Sequence, residues 1–433
     1  MSPDASPTPP DARALDRAAP DRAQAFEEGV EEGAALFDRG PDGAPALFSA
    51  PHRVIEAHET GEVDAALDAL DAARRDGAWL AGYAAYEVGY ALEPALRSRM
   101  PPSRRGPLLR FGVYAAPETT RAAELLAEAD AAGVELWEAE AGFAELRRQW
   151  PRAAYDAAFA EARDQIQAGD YYQINLTQPL RLRRESGALA LYGALRRAQA
   201  VDHGALLRLG PGTGRGTGRG KGRGAEPDPV LLSRSPELFF ETGADGLLET
   251  RPMKGTAPRV GDASEDAAVA AALQGDEKNR AENLMIVDLL RNDLSRICEI
   301  GSVETPTLFE IERYATVHQM VSHIRGRLLE GVGLAAVFRA LFPCGSITGA
   351  PKIAAMEAIA RLELEPREAY CGAIGWAAPD GRARFNVAIR TLSLYGAEAV
   401  LNVGGGVVAD STADGEYEEA LWKARFATKL LRG

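Results

Sequence analysis

Between Tyr155 and Thr177 the hydrophobic period of the chain switches from that of a helix to that of a strand. Tyr155, Phe159, Ala162 and Ile166 recur at helical spacing, and Gly169-Asp170 supplies a helix stop. Tyr171 to Thr177 then alternates, with Gln173 and Asn175 on one face and Tyr172, Ile174 and Leu176 on the other. A helix joined this closely to a strand commits this part of the chain to helices packed on a sheet. Two amides on one strand face mark either a solvated edge or the wall of a polar cavity.

The same grammar recurs on both sides of this unit. Folding is expected to begin near Ala34 to Phe37; a helix over Val63 to Arg75 precedes an apolar strand from Trp79 to Tyr83. Further strands are expected over Ala205 to Leu209, Val230 to Ser233, Leu238 to Glu241, Leu247 to Thr250, Tyr370 to Trp376 and Phe385 to Arg390. Leu284, Val287, Leu290, Leu294 and Ile297 give a long amphipathic helix its apolar stripe. The division expected is an N-terminal α/β region over 24–150 packed on a catalytic domain over 151–433. Residues 1–23, rich in Pro, Ala and Asp, read as a disordered tail. The Gly/Arg-rich run 210–224 reads as an expanded loop within a hairpin.

Composition narrows the partners. Lys and Arg total 49 against 63 Asp and Glu, a net charge of −14, which argues against nucleic acid or an anionic membrane as a non-specific partner. Cys298, Cys344 and Cys371 stand in unrelated surroundings, so neither a disulfide framework nor a C-x-x-C metal site follows. No uninterrupted apolar run approaches the roughly 18 residues of a membrane span, and the cytoplasm is the default expectation.

Several stretches carry candidate chemistry. In Arg251-Pro252-Met253-Lys254-Gly255-Thr256 a lysine sits between a proline and a glycine, placed by a rigid turn as either loop charge or a nucleophile. Ser235-Pro236-Glu237 sets a carboxylate at the start of an apolar strand; if partly buried, its raised pKa would suit a proton donor. Glu282 lies beside the apolar stripe of the long helix, where a carboxylate needs a cation or a basic side chain. Glu416, Glu419 and Lys423 share a face of a C-terminal helix over about Asp414 to Leu431, after the Gly404-Gly405-Gly406 run that lets a ligand approach the backbone. That face is either a solvated surface or, joined by Glu282, a source of the oxygen ligands Mg²⁺ prefers. In Pro343 to Lys352, small and hydroxylated residues precede a helix from Ile353 to Leu362, an N-terminus suited to an anion. Arg390 closes an apolar strand, where a guanidinium calls for a carboxylate, and Tyr370 offers a hydroxyl.

Taken in this order, Ser235 to Glu237, Asp276 to Asn292, Thr348 to Lys352 and Gly404 to Lys423 resemble the chorismate-utilising enzymes, strongly over 150–433 and weakly over 30–150. The resemblance implies an α/β (α+β) fold: a large two-sheet antiparallel β-sandwich with helices outside. It implies Mg²⁺ held by Glu282, Glu416 and Glu419 against one substrate carboxylate. Tyr370, Arg390, Gly404, Gly405, Gly406 and Lys423 would bind the substrate's carboxylates, with Gly255, Thr256 and Thr348 in the same substrate-binding set. Glu237 matches the general acid. Gln173 stands where isochorismate-type members carry a water-activating lysine, which implies ammonia as nucleophile. Lys254 stands where anthranilate-forming members carry alanine and aminodeoxychorismate-forming members carry lysine, implying a covalent lysine adduct and a 4-amino product, with anthranilate formation as the alternative. No cysteine lies in a glutaminase-like motif, so chorismate is expected to meet ammonia from a separate glutaminase subunit. The N-terminal region carries no clear tryptophan-binding signature.

Overall fold

The computed structural model describes residues 28–148, 150–210, 228–314 and 317–432. The expected tail 1–23 and residues 211–224 of the expected loop lie outside these. Among the described residues, two antiparallel sheets, of nine and ten strands, make up the β structure. The first runs Gly349–Ala350, Gln173–Arg184, Glu398–Val407, Thr391–Tyr395, Val230–Ser235, His203–Arg208, Ala34–Phe37, Ala46–Phe48, with Phe143–Arg148 also on Gln173–Arg184. The second runs Met253–Pro258, Val317–Arg327, Leu247–Arg251, Leu238–Thr242, Ala383–Val387, Ala373–Ala377, Trp79–Ala84, Leu109–Tyr114, Arg53–Ala57, with Glu304–Arg313 also on Val317–Arg327.

Between the sheets lies an apolar layer in which Phe37, Phe48 and Leu207 of the first meet Tyr114 and Trp376 of the second. The Phe48 ring stands 5.5 Å from that of Tyr114, an aromatic contact from sheet to sheet. On the outer face of the first sheet, helices Thr119–Glu138 and Ala188–Ala198 pack closely; a Cβ on Gly193 would lie 1.7 Å from the carbonyl oxygen of Ala129. Helices Val63–Arg75, Glu277–Ser295 and Leu334–Leu341 cover the second sheet, burying Leu67, Leu70, Leu290 and Phe338 with Phe240 and Phe385. Each such side chain contributes about 1.5–3 kcal/mol of transfer free energy. Among the described residues no helix is long and apolar enough to cross a membrane.

Among the connections that pass from sheet to sheet, two short ones lie side by side. Val230–Ser235 belongs to the first sheet and Leu238–Thr242 to the second, so Ser235-Pro236-Glu237 is a crossing. Ala383–Val387 and Thr391–Tyr395 are likewise split between sheets, so Ala388 to Arg390 is another. Hydrogen bonds stitch the two together: Ser235 Oγ to the Val387 carbonyl at 2.5 Å, Val387 N–H to the Glu237 carbonyl at 3.1 Å, and Arg234 N–H to the Arg390 carbonyl at 3.0 Å. The sequence reads Arg390 as the end of a strand, but it lies three residues past Val387, in the crossing, at φ 50°. The C-terminal helix is also shorter than its periodicity suggests: Ala413–Lys423 ends before a separate turn, Arg425–Thr428.

Candidate active site

Leu247–Arg251 and Met253–Pro258 lie end to end along Val317–Arg327, interrupted where Pro252 has no N–H to give. The register then slips between Met253 and Thr256, with Gly255 at φ 93°. Lys254 therefore sits in a bulged strand rather than in a turn, and a bulge re-aims the side chain it carries. Gln319 clamps the bulge: its Nε2 donates to the Gly255 carbonyl at 2.9 Å and its Oε1 accepts from Thr256 Oγ1 at 2.8 Å.

The bulge and both crossings open on one cavity of about 620 Å³. Of the residues singled out from sequence, Glu237, Lys254, Gly255, Thr256, Glu282, Tyr370, Arg390, Gly404, Gly406, Glu416, Glu419 and Lys423 line it. Gln173, Thr348 and Gly405 do not. The Thr348 hydroxyl donates to the carbonyls of Cys344 and Gly345, at 3.3 and 3.2 Å, so it fastens its own turn. Gln173 is fully buried with neither amide atom hydrogen-bonded, and it backs onto the glycine strand; a Cβ on Gly406 would lie 2.5 Å from its Nε2 and 3.3 Å from Lys254 Nζ.

Electrostatics set the protonation states. Burial pushes Glu237 up to about 7, against the opposing hydrogen bond from Ser346 Oγ at 2.6 Å and the charge of Lys254. Burial brings Lys254 down from its ordinary value, assisted by Lys423 and opposed by Glu282, Glu237 and Glu419. The cavity thus favours a protonated acid beside a lysine that loses its proton more easily than one in water. Burial also lowers Arg390, to about 10, and no carboxylate of the described residues pairs with it.

The three glutamates come from two helices, Glu282 from Glu277–Ser295 and Glu416 and Glu419 from Ala413–Lys423. Burial raises Glu282 and Glu416, and each is raised further by Glu419. Burial alone would raise Glu419, but Lys423, 2.8 Å away, holds it below the usual value. One Glu416 oxygen accepts from Ser411 Oγ at 2.6 Å, and Lys423 also donates to the Gly404 carbonyl at 3.0 Å. Among the described residues no group of three or more His, Cys, Asp or Glu is gathered tightly enough to hold a metal as it stands. In chemistry the set fits Mg²⁺: oxygen donors only, with two carboxylates whose charge burial and like neighbours disfavour.

Sequence reasoning passed over several residues that matter here. Ser346, the partner of Glu237, was visible only as one hydroxyl in a run of small residues. Gln319 gave no signal, because an amide in an alternating strand looks like surface. Lys278 lines the cavity from the first turn of its helix, in a charged run that reads as solvated.

The fold and this pocket define a class: a two-sheet α/β protein whose acid, lysine and cations meet where strands cross between sheets. The model of the family described as chorismate binding enzyme matches residues 32–429, and the chain belongs to that family. It is 44% identical over 286 residues to aminodeoxychorismate synthase of Streptomyces pristinaespiralis, a match covering 66% of this chain and 37% of that one. It is 39% identical over 272 residues to aminodeoxychorismate synthase component 1 of Salmonella typhimurium, covering 63% and 56%. The matches thus span from about a third to just over half of those curated relatives. In fold it resembles the crystal structure of anthranilate synthase component I from Streptococcus pneumoniae, with a TM-score of 0.71 at 24% identity over 94% of this chain and 95% of that one.

Proposed function

We propose that the chain aminates chorismate at C4, as the component-1 type of aminodeoxychorismate synthase, with ammonia delivered by a separate glutaminase. The observation that carries this reading is Lys254, lowered in pKa, sharing a cavity with Glu237, raised to about 7. Neutral Lys254 Nζ adds to C2 of the ring, the two ring double bonds shift, and the C4 hydroxyl leaves as water with the proton of Glu237. Ammonia then adds at C4, the double bonds shift back, and the C2–N bond breaks to return Lys254. Glu237, left as a carboxylate by the first step, takes the surplus proton from the new C4 ammonium. Each half is an allylic displacement, so covalent capture replaces one difficult substitution with two easier ones.

Arg390, at a strand crossing and without a carboxylate partner among the described residues, is suited to one substrate carboxylate, with Tyr370 nearby and Lys423 on the glycine-strand side. Glu282, Glu416 and Glu419 would hold Mg²⁺, which when bound supplies positive charge for the other carboxylate. The buried, unbonded amide of Gln173 has no basic atom with which to activate water, which supports ammonia as the nucleophile.

Intact-mass measurement after incubation with chorismate in the absence of ammonia tests this. A chorismate-derived adduct on Lys254, absent in Lys254→Ala, is the expected result. Adduct-free enzyme that still makes the 4-amino product overturns the covalent route, and fluorescent anthranilate as the main product overturns the product assignment.

A further inference from the structure

At the mouth of the cavity Lys278 Nζ pairs with Asp410 Oδ2 at 3.0 Å, both side chains at least half exposed. The pair joins the first turn of helix Glu277–Ser295 to the loop between strand Glu398–Val407 and helix Ala413–Lys423. These are the two helices that carry Glu282, Glu416 and Glu419. Nothing local to the helix explains a lysine at 278. A cation in the first turn opposes the helix dipole, and Lys preceding Glu by four residues is the less favourable order for such a pair. Its surroundings explain it better. Lys278 lines the cavity together with the three glutamates. Burial would lower it, but the Asp410 hydrogen bond and the charges of Glu282 and Glu416 raise it. Lys278 in turn lowers both Glu282 and Glu419.

We propose that Lys278 is the resident counter-cation of the three-glutamate cluster, and that Asp410 is the acceptor that parks it at the mouth when a divalent cation takes its place. This rests on the reading of Glu282, Glu416 and Glu419 as the Mg²⁺ ligands. Within the cluster, one ammonium offsets part of a charge that an incoming Mg²⁺ offsets more fully. The ammonium and the metal would repel each other, and the 3.0 Å pair with Asp410 is the contact that can hold Lys278 away. Lys278 acts on the metal without touching the reacting atoms, as a positioning residue does.

The two members of this ion pair therefore differ in effect. Lys278→Gln removes the competitor and tightens Mg²⁺ binding. Asp410→Asn removes the parking place, leaves Lys278 on the glutamates and weakens it. Each shift is about two- to fivefold, the scale of one partly screened charge pair. In the double variant Asp410→Asn weakens binding less than it does alone, because no lysine is left to park and only its direct charge on Glu282 is lost.

Titration calorimetry of MgCl₂ into the full chain without chorismate reads all of this from binding alone. Opposite shifts in the single variants, with the effect of Asp410→Asn reduced once Lys278 is Gln, are the expected result. Single variants that shift the same way describe a mechanical latch and overturn the inference. So does a double variant equal to the sum of the two, which describes independent charges. In either case, loss of binding in Glu282→Gln leaves the magnesium reading standing. Absent wild-type binding, or binding that Glu282→Gln does not disturb, overturns both.

Discussion

At Glu237, burial and a single hydroxyl pull in opposite directions. Burial favours the neutral acid, whereas the Ser346 hydroxyl, 2.6 Å away, favours the carboxylate. Removing that hydroxyl leaves burial less opposed. With Glu237 as the proposed acid, the high-pH limb of kcat in Ser346→Ala is expected to move above its wild-type position near pH 7. A fall in kcat without such a shift, measured across the pH profile, would confine Ser346 to holding the carboxyl in place. The same raised pKa has a stability sign. In the unfolded chain Glu237 titrates near 4.5 and in the folded chain near 7. Its contribution is fully present below about pH 4.5 and is lost as the pH rises through 7. Glu237→Gln cannot ionise, so it is expected to be inactive yet more stable than wild type at pH 8, by about 1–3 kcal/mol, with no difference near pH 4. Thermal unfolding at the two pH values decides it. The proline before it marks Glu237 in the sequence, but its role as an acid comes only through the resemblance to the chorismate-utilising enzymes. Its tuning could not be read there, since Ser346 is 109 residues away.

Among the elements, the glycine strand Glu398–Val407 makes the sharpest demand. It pairs with Gln173–Arg184, setting Gly404 opposite Thr177 and Gly406 opposite Asn175. The run of glycines signals close approach in the sequence, but not what approaches. At Gly404 it is backbone: a Cβ would lie 2.3 Å from the Leu176 carbonyl oxygen. At Gly406 it is the end of a side chain, the Gln173 amide. Gly404→Ala is thus expected to lose about 1–3 kcal/mol of stability, the usual cost of overpacking. Gly406→Ala is expected to fold with a smaller loss while turnover collapses, because the added methyl would also lie 3.3 Å from Lys254 Nζ. Unfolding midpoints and turnover measured on the pair distinguish the two; equal destabilisation would mean that the Gln173 amide cannot move aside. Arg390 shows where element reading stops. Apolar alternation continues through a segment that leaves one sheet for the other, so the crossing that sets this guanidinium at the cavity leaves no mark in the period. Nor does any Gly or Pro mark the end of the last helix at Lys423.

For the molecule as a whole, element types were readable because periodicity is local, whereas strand partners were not, because pairing is long-range. Ala34–Phe37 pairs with His203–Arg208, and Trp79–Ala84 pairs with Ala373–Ala377, so strands from the N-terminal third enter both sheets. What this long-range assembly achieves is a charge balance that no single segment holds. Lys254, Lys278, Arg390 and Lys423 share the cavity with Glu237, Glu282, Glu416 and Glu419. Before Lys254 gives up its proton the positive and negative groups nearly cancel, Glu237 being about half protonated near pH 7. On the proposed function, chorismate would bring two negative charges into this low-dielectric space and Mg²⁺ two positive ones. Either alone leaves an unbalanced pair of charges; together they restore the resting balance. Each is therefore expected to tighten the other, and because the coupling is a property of one cycle the two factors must be equal. A coupling of about 1–3 kcal/mol corresponds to roughly 5- to 150-fold. Calorimetry on Lys254→Ala, which cannot capture the substrate covalently, measures chorismate affinity with Mg²⁺ and with chelator, and Mg²⁺ affinity with and without chorismate. Chorismate affinity indifferent to the cation would mean that Arg390, Tyr370 and Lys423 hold both carboxylates by themselves, and that the three glutamates serve something other than substrate binding.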